Sequence, residues 1–184
     1  MSEPDSTEVL RKIGRNVVNF QKLEGMLRYL ASTPNYNGSL SQLRKQREKH
    51  VSSLRKKSFG LVVRDFFETV YPEELSNSDV SDPNSGELSI KIDGEGRARL
   101  VTAIETVVDA RNDLIHHRLI AFDPSSTRSC KELIAYLDDQ NEQLIPVYEE
   151  IAVLTESMRL ARKEMVRLFD SELEQSNDDN SADA

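Results

Sequence analysis

Between Leu133 and Phe169 apolar side chains recur three and four residues apart: Leu133, Leu137, Leu144, Tyr148, Ile151, Leu154, Met158, Ala161, Met165, and Leu168 or Phe169. That period lines one side of an α-helix, whereas a half-buried strand would alternate every second residue. A stripe this long can be buried only against other helices, so it commits the chain to helix-on-helix packing. A second stripe, Leu10, Ile13, Val17, Phe20, Leu23, Met26 or Leu27, and Leu30, predicts a helix over residues 7–32, with Asp5 or Ser6 as its cap. A straight helix over residues 129–174 would run about 68 Å, longer than a domain of this size is wide. A break or kink is therefore expected within residues 138–143, just before Pro146.

The Thr33-Pro34-Asn35-Tyr36-Asn37-Gly38 cluster ends the first helix, and Ser39 or Ser41 can cap a second that reaches about Arg55. Phe59, Val62, Val63, Phe66, Phe67 and Val70 give a third, short helix over residues 58–70. Residues 72–96, with Pro72, Pro83, Gly86, Gly94 and Gly96, read as a long acidic loop. Within it only Leu88, Ile90 and Ile92 alternate like a strand, and a short β element near 87–92 would need a hairpin partner or a second chain. A fourth helix is expected from Gly96 or Arg97 to about His117, followed by a turn at Asp123-Pro124-Ser125-Ser126. The expected fold is all-α, a bundle of four to six helices. It forms a single domain over residues 7–175 with 72–96 as an inserted loop, and residues 1–6 and 176–184 are expected to be disordered.

The single cysteine, Cys130, can form neither an intramolecular disulfide nor a multi-cysteine metal site. With no basic flank and apolar run at the amino terminus and no run of about 18 apolar residues, the expectation is a cytoplasmic chain without a membrane span. The net charge of −8 is unevenly placed: residues 170–184 hold six acids and no base, and so contribute −6 of it. Residues 44–64 instead hold eight bases against the single acid Glu48. Arg44, Lys45, Arg47, Lys49, Arg55, Lys56 and Lys57 are thus candidate contacts to a nucleic-acid backbone, or else a solvated helix face. There is no glycine-rich phosphate loop, and His50, His116 and His117 lack metal-ligand spacing with cysteine or carboxylates. Cys130 is better read as a buried or incidental thiol than as a nucleophile.

The chemistry concentrates in Arg111-Asn112-Asp113-Leu114-Ile115-His116-His117. At about 100° per residue, Leu100, Val101, Ile104, Val107, Val108, Leu114 and Ile115 share a stripe, and Arg111 falls near its middle. A guanidinium there carries five donors and cannot shed its charge. It is either paired with a carboxylate such as Glu24, carried on a stem that snorkels out at the helix end, or held for an anion. Arg111 and His116 lie roughly 140° apart on a regular helix, so one straight helix cannot join them. Either the helix ends near Leu114, or the same helix of a second subunit supplies the missing group. His117, four residues from Asp113, is also open to a simple pairing with that aspartate.

Arginine, a polar residue, then histidine near the end of a core helix in an all-helical chain resembles the signature of the HEPN superfamily. Arg111, Asn112 and His116 fit it, and His117 also meets its spacing. The resemblance implies a homodimer with two signatures facing each other across a cleft and, in active members, a metal-independent endoribonuclease with no cofactor. Many such members are toxins or phage-defence effectors restrained by a nucleotidyltransferase or another antitoxin. Members controlled by AMPylation carry a tyrosine two residues after the histidine, and Arg118 stands at that offset here. In an active chain, the 2′-hydroxyl of RNA would attack the adjacent phosphorus and leave a 2′,3′-cyclic phosphate. His116 would move the proton, free imidazole titrating at about 6.5. Arg111 would hold the phosphate charge, Asn112 would orient the imidazole or phosphate, and Arg118 could add a phosphate contact. Base and acid would come from His116 of each chain, or from His116 and His117. The other reading is a catalytically inactive module of the same shape that binds RNA or a partner protein.

Overall fold

The computed structural model describes residues 3–32, 48–49, 51–71 and 93–181. Every regular element among them is helical: α1 Glu3–Ala31, α2 Phe59–Val70, α3 Gly94–Asp113, a π-helical turn Leu114–Arg118, the short α4 Leu119–Ala121, and α5 Thr127–Ser181, with helical residues also at 48–49 and 51–54. The fold is all-α, as the three-and-four spacing requires. The β element near 87–92 and the Pro72–Ile92 part of the expected loop lie outside the described residues.

Side-chain partners give the helix directions. Lys12 meets Asp138, Asn19 meets Asn141 and Arg162 lies over the Tyr29 ring, so α1 and α5 run parallel. Tyr136 and Gln140 reach the Ala110 carbonyl while Arg99 pairs with Glu150, so α3 runs antiparallel to α5. Helix α2 packs on both α1 and α3; Arg97 of α3 donates to the Tyr71 carbonyl and lies over the Phe67 ring. Asp93 caps α3 by accepting from the Gly96 amide at 2.6 Å, which answers one of the orphan donors of the first turn.

The core is continuous across these helices, with Phe20, Leu23 and Leu27 of α1, Phe66 of α2, Leu100 and Ile104 of α3, and Leu137, Leu144 and Ile151 of α5 all buried. Phe66 is its aromatic anchor, edge-on to Phe67 and Tyr71 at centroid distances of 4.9 and 5.6 Å.

Two expectations are corrected. The first concerns α1, where the most buried positions of the amino-terminal half are Val9, Lys12 and Asn16; Ile13 and Val17 are partly buried and pack against the core as expected, but Leu10 is 64% exposed. Polar residues take the buried positions because α5 supplies their partners. Lys12 Nζ lies 2.5 Å from an Asp138 carboxylate oxygen, and Asn16 Nδ2 donates to the Leu137 carbonyl at 2.8 Å. Burial of a satisfied polar group costs little, whereas an unsatisfied one costs about 1–3 kcal/mol.

The second correction concerns Pro146, which neither ends nor splits the last helix: α5 runs through it from Thr127 to Ser181. The ring sits on the exposed side, and the carbonyl it leaves without a donor belongs to exposed Glu142, where water can serve. The neighbouring positions Leu144 and Val147 are buried, so packing holds the helix together across the proline. Pro146→Ala restores the missing backbone bond and relieves the ring, and is expected to raise stability by as much as about 3 kcal/mol. Thermal unfolding checks this; an unchanged or lowered Tm contradicts it.

Candidate functional site

The predicted motif lies where α3 gives way to the π turn. Leu100, Ile104, Val107, Val108 and Leu114 bury the α3 stripe, and Arg111, in its middle, is half-buried. Its Nη1 donates to the Asn112 side-chain oxygen at 3.0 Å. Among the described residues no carboxylate lies within 4 Å of it, and Glu24, its candidate partner, is bonded to Arg28 instead. The salt-bridge account of Arg111 therefore fails within the described residues. What remains is a half-buried cation just before the turn with one neutral acceptor among the described residues, its other donors open to water along a snorkelling stem or to an anion.

The helix neither ends at Leu114 nor continues regularly. It widens after Leu114: the Leu119 amide bonds to the Leu114 carbonyl five residues back, whereas the Leu114 amide still reaches the Ala110 and Arg111 carbonyls four and three residues back. Such a turn takes up one extra residue, so side chains five apart overlie one another. Asp113 and Arg118 demonstrate it with a bond of 3.0 Å, although a regular helix would set them roughly 140° apart. His116 and His117 are both exposed, on consecutive positions of the turn. Neither imidazole has a hydrogen bond to a described residue.

A network from α5 and α1 supports the turn. Gln140, 3% exposed, donates from Nε2 to the Ala110 carbonyl at 2.8 Å and to Tyr136 Oη at 3.2 Å. Asn16, wholly buried, donates to Gln140 Oε1 at 2.9 Å, which fixes the orientation of that amide. The Tyr136 hydroxyl lies between the Ala110 carbonyl, 3.3 Å away, and the Asp113 carboxylate. Arg118 spans the outer side, bonded to Asp113 with its guanidinium 4.6 Å from the centre of the Tyr136 ring. Sequence reasoning missed Tyr136, Gln140 and Asn16. The available signal was a glutamine between Leu137 and Leu144 on the otherwise apolar stripe of α5.

Electrostatics follow from these bonds. The Arg118 guanidinium, then the Tyr136 hydroxyl, hold the Asp113 carboxyl below its ordinary range. Burial, then the bond to Asp113, push the Tyr136 phenol up to about 12. A raised phenol pKa favours the neutral form in the fold, so its contribution to stability is complete below about pH 10 and is lost as pH rises towards 12. An alkaline absorbance titration is expected to show a phenol ionising near pH 12 that Tyr136→Phe removes. Loss of a phenol that titrates near pH 10 instead would contradict the burial and the bond.

The predicted basic patch is only partly described. Arg44, Lys45 and Arg47 lie outside the described residues, while Lys49, Arg55 and Lys56 are exposed. Lys57 is engaged elsewhere, 2.5 Å from the carboxylate of Asp65, which is itself only 7% exposed. Arg118 is likewise neutralised by Asp113, so a phosphate would have to displace that partner. Cys130 is buried with its sulfur 3.7 Å from the Pro124 carbonyl, the setting of a structural thiol. No described helix is long and apolar enough to cross a membrane. The chain matches no family model, no curated protein and no solved structure.

Proposed function

We propose that this chain is a metal-independent endoribonuclease of the HEPN type, cleaving RNA by attack of the 2′-hydroxyl on the adjacent phosphorus. The observation that carries the reading is Arg111: a half-buried guanidinium on a core stripe, without a carboxylate among the described residues, beside Asn112 and one turn before two exposed histidines. A cation placed there is free to meet an anion rather than a structural partner. Arg111 would hold the nonbridging oxygens of the scissile phosphate. The Asn112 amide, whose oxygen faces Arg111, would donate to substrate or imidazole. His116 would transfer the proton.

A general base is usually oriented by a third group, and neither imidazole has one among the described residues. A composite site across a homodimer would supply both the orientation and the second proton-transfer group. A toxin–antitoxin or phage-defence role, with a nucleotidyltransferase or other antitoxin as partner, follows from the sequence resemblance alone. The exposure of both histidines also favours a second reading, an inactive helical module that binds RNA or a protein partner. Cleavage of mixed RNA in EDTA separates the two, comparing wild type with Arg111→Ala and His116→Ala. Wild-type activity lost in both variants supports the nuclease; activity that survives both, or that EDTA abolishes, overturns it.

A further inference from the structure

We infer that Gln140, oriented by Asn16 and acting with Tyr136, is a positioning residue for the Arg111–His116 motif: it holds the Ala110 carbonyl in the arrangement that keeps the following turn wide. The inference rests on the proposed function only for the word motif; the mechanical claim is independent of it.

The Ala110 carbonyl takes the amide of Leu114, the first residue of the turn, which it shares with the Arg111 carbonyl. Gln140 Nε2 reaches it from α5 at 2.8 Å, and Tyr136 Oη lies 3.3 Å away, its one proton shared with the Asp113 carboxylate. A carbonyl has two lone pairs, so side-chain donors compete with the helix's own amide and favour a loosened ladder at that point. An inserted residue is then accommodated as a π turn rather than expelled. Gln140 cannot rotate its amide to escape, because Asn16 Nδ2 donates to its oxygen while Arg15 Nε donates to Asn16 Oδ1. The chain of bonds thus runs from α1 through α5 to the residue immediately before Arg111. It spends two fully buried polar positions, Asn16 and Gln140, on a seam that leucine would fill more simply.

A buried Asn–Gln pair between helices can also serve only to set their register. The two roles differ in what happens at the histidines, 24 and 23 residues before Gln140 in the chain. The test uses Gln140→Leu and Tyr136→Phe in the full chain. Imidazole nitrogen–proton NMR of His116 and His117 across pH is read alongside the RNA-cleavage kcat and KM. With helicity retained, the inference predicts shifted resonances for His116 in both variants. It also predicts kcat lower by about tenfold to a hundredfold with KM within about twofold, the cost of misplacing groups by a fraction of an ångström to 1 Å. Should Gln140→Leu fail to fold, Tyr136→Phe, which keeps the ring under Arg118, decides alone. Unchanged histidine spectra and unchanged kcat in a folded variant overturn the positioning role and leave register setting. If wild type cleaves no RNA, the nuclease reading fails by itself and the histidine spectra still decide this one.

Discussion

Arg111→Ala is expected to lower RNA cleavage by about 10²–10³-fold, the loss typical of removing one preorganised donor from a developing anion. It should leave the fold standing, since the guanidinium has a single hydrogen bond, to its neighbour Asn112, and no ion pair among the described residues to break. Truncating a buried, paired arginine would cost about 3–5 kcal/mol, so stability near wild type is itself evidence that the side chain is kept for a ligand. Arg111→Lys should not restore activity, because one ammonium cannot present the planar fork that grips two phosphate oxygens. His116→Ala is expected to cost about 10²–10⁴-fold, the range for a lost general acid or base. His117→Ala should cost less, since the charge of His117 bears on Asp113, whose carboxyl already has Arg118 and Tyr136 as its main partners. Initial rates at matched protein concentration check the series. A destabilised Arg111→Ala with normal activity per folded molecule would return Arg111 to a structural role.

The largest effect on stability is expected from Phe66→Ala. Phe66 is wholly buried and meets Phe67 and Tyr71 edge-on, close to where Arg97 ties α3 to the end of α2. Removing it deletes those ring contacts and opens a cavity that three helices cannot readily close, a loss of about 3–5 kcal/mol. Against a typical total of about 5–15 kcal/mol, that moves the urea midpoint by a large fraction of its value. A shift corresponding to less than about 1 kcal/mol would mean that α2 contributes little to the core, contrary to its packing.

Helix identity was legible wherever one face had to be apolar. Phe59, Val62, Phe66 and Phe67 announced α2 within a residue of its observed bounds, and Leu133, Leu137, Leu144 and Ile151 announced α5. Arg111 was legible as the residue that broke its own stripe. What sequence could not supply were features set by partners distant in the chain. Lys12 and Asn16 are buried because Asp138, Leu137 and Gln140 wait for them more than 120 residues later. Pro146 looked like a break because its local cost is real, yet packing on both sides and an exposed Glu142 carbonyl offset it. The π turn was invisible for the same reason: the donors that loosen the ladder at Ala110 come from positions 136 and 140. A regular-helix wheel sets Arg111 and His116 roughly 140° apart. Of the two remedies it offered, a helix end or a second chain, the structure removes the first, since the helix passes Leu114 as a π turn.

The most direct test of metal-independent transesterification is the chemistry of the RNA ends made by the wild-type chain in EDTA. Attack by the neighbouring 2′-hydroxyl predicts fragments ending in a 2′,3′-cyclic phosphate, matched by 5′-hydroxyl termini. Fragments with 3′-hydroxyl and 5′-phosphate ends, or no fragments once EDTA is present, would contradict it.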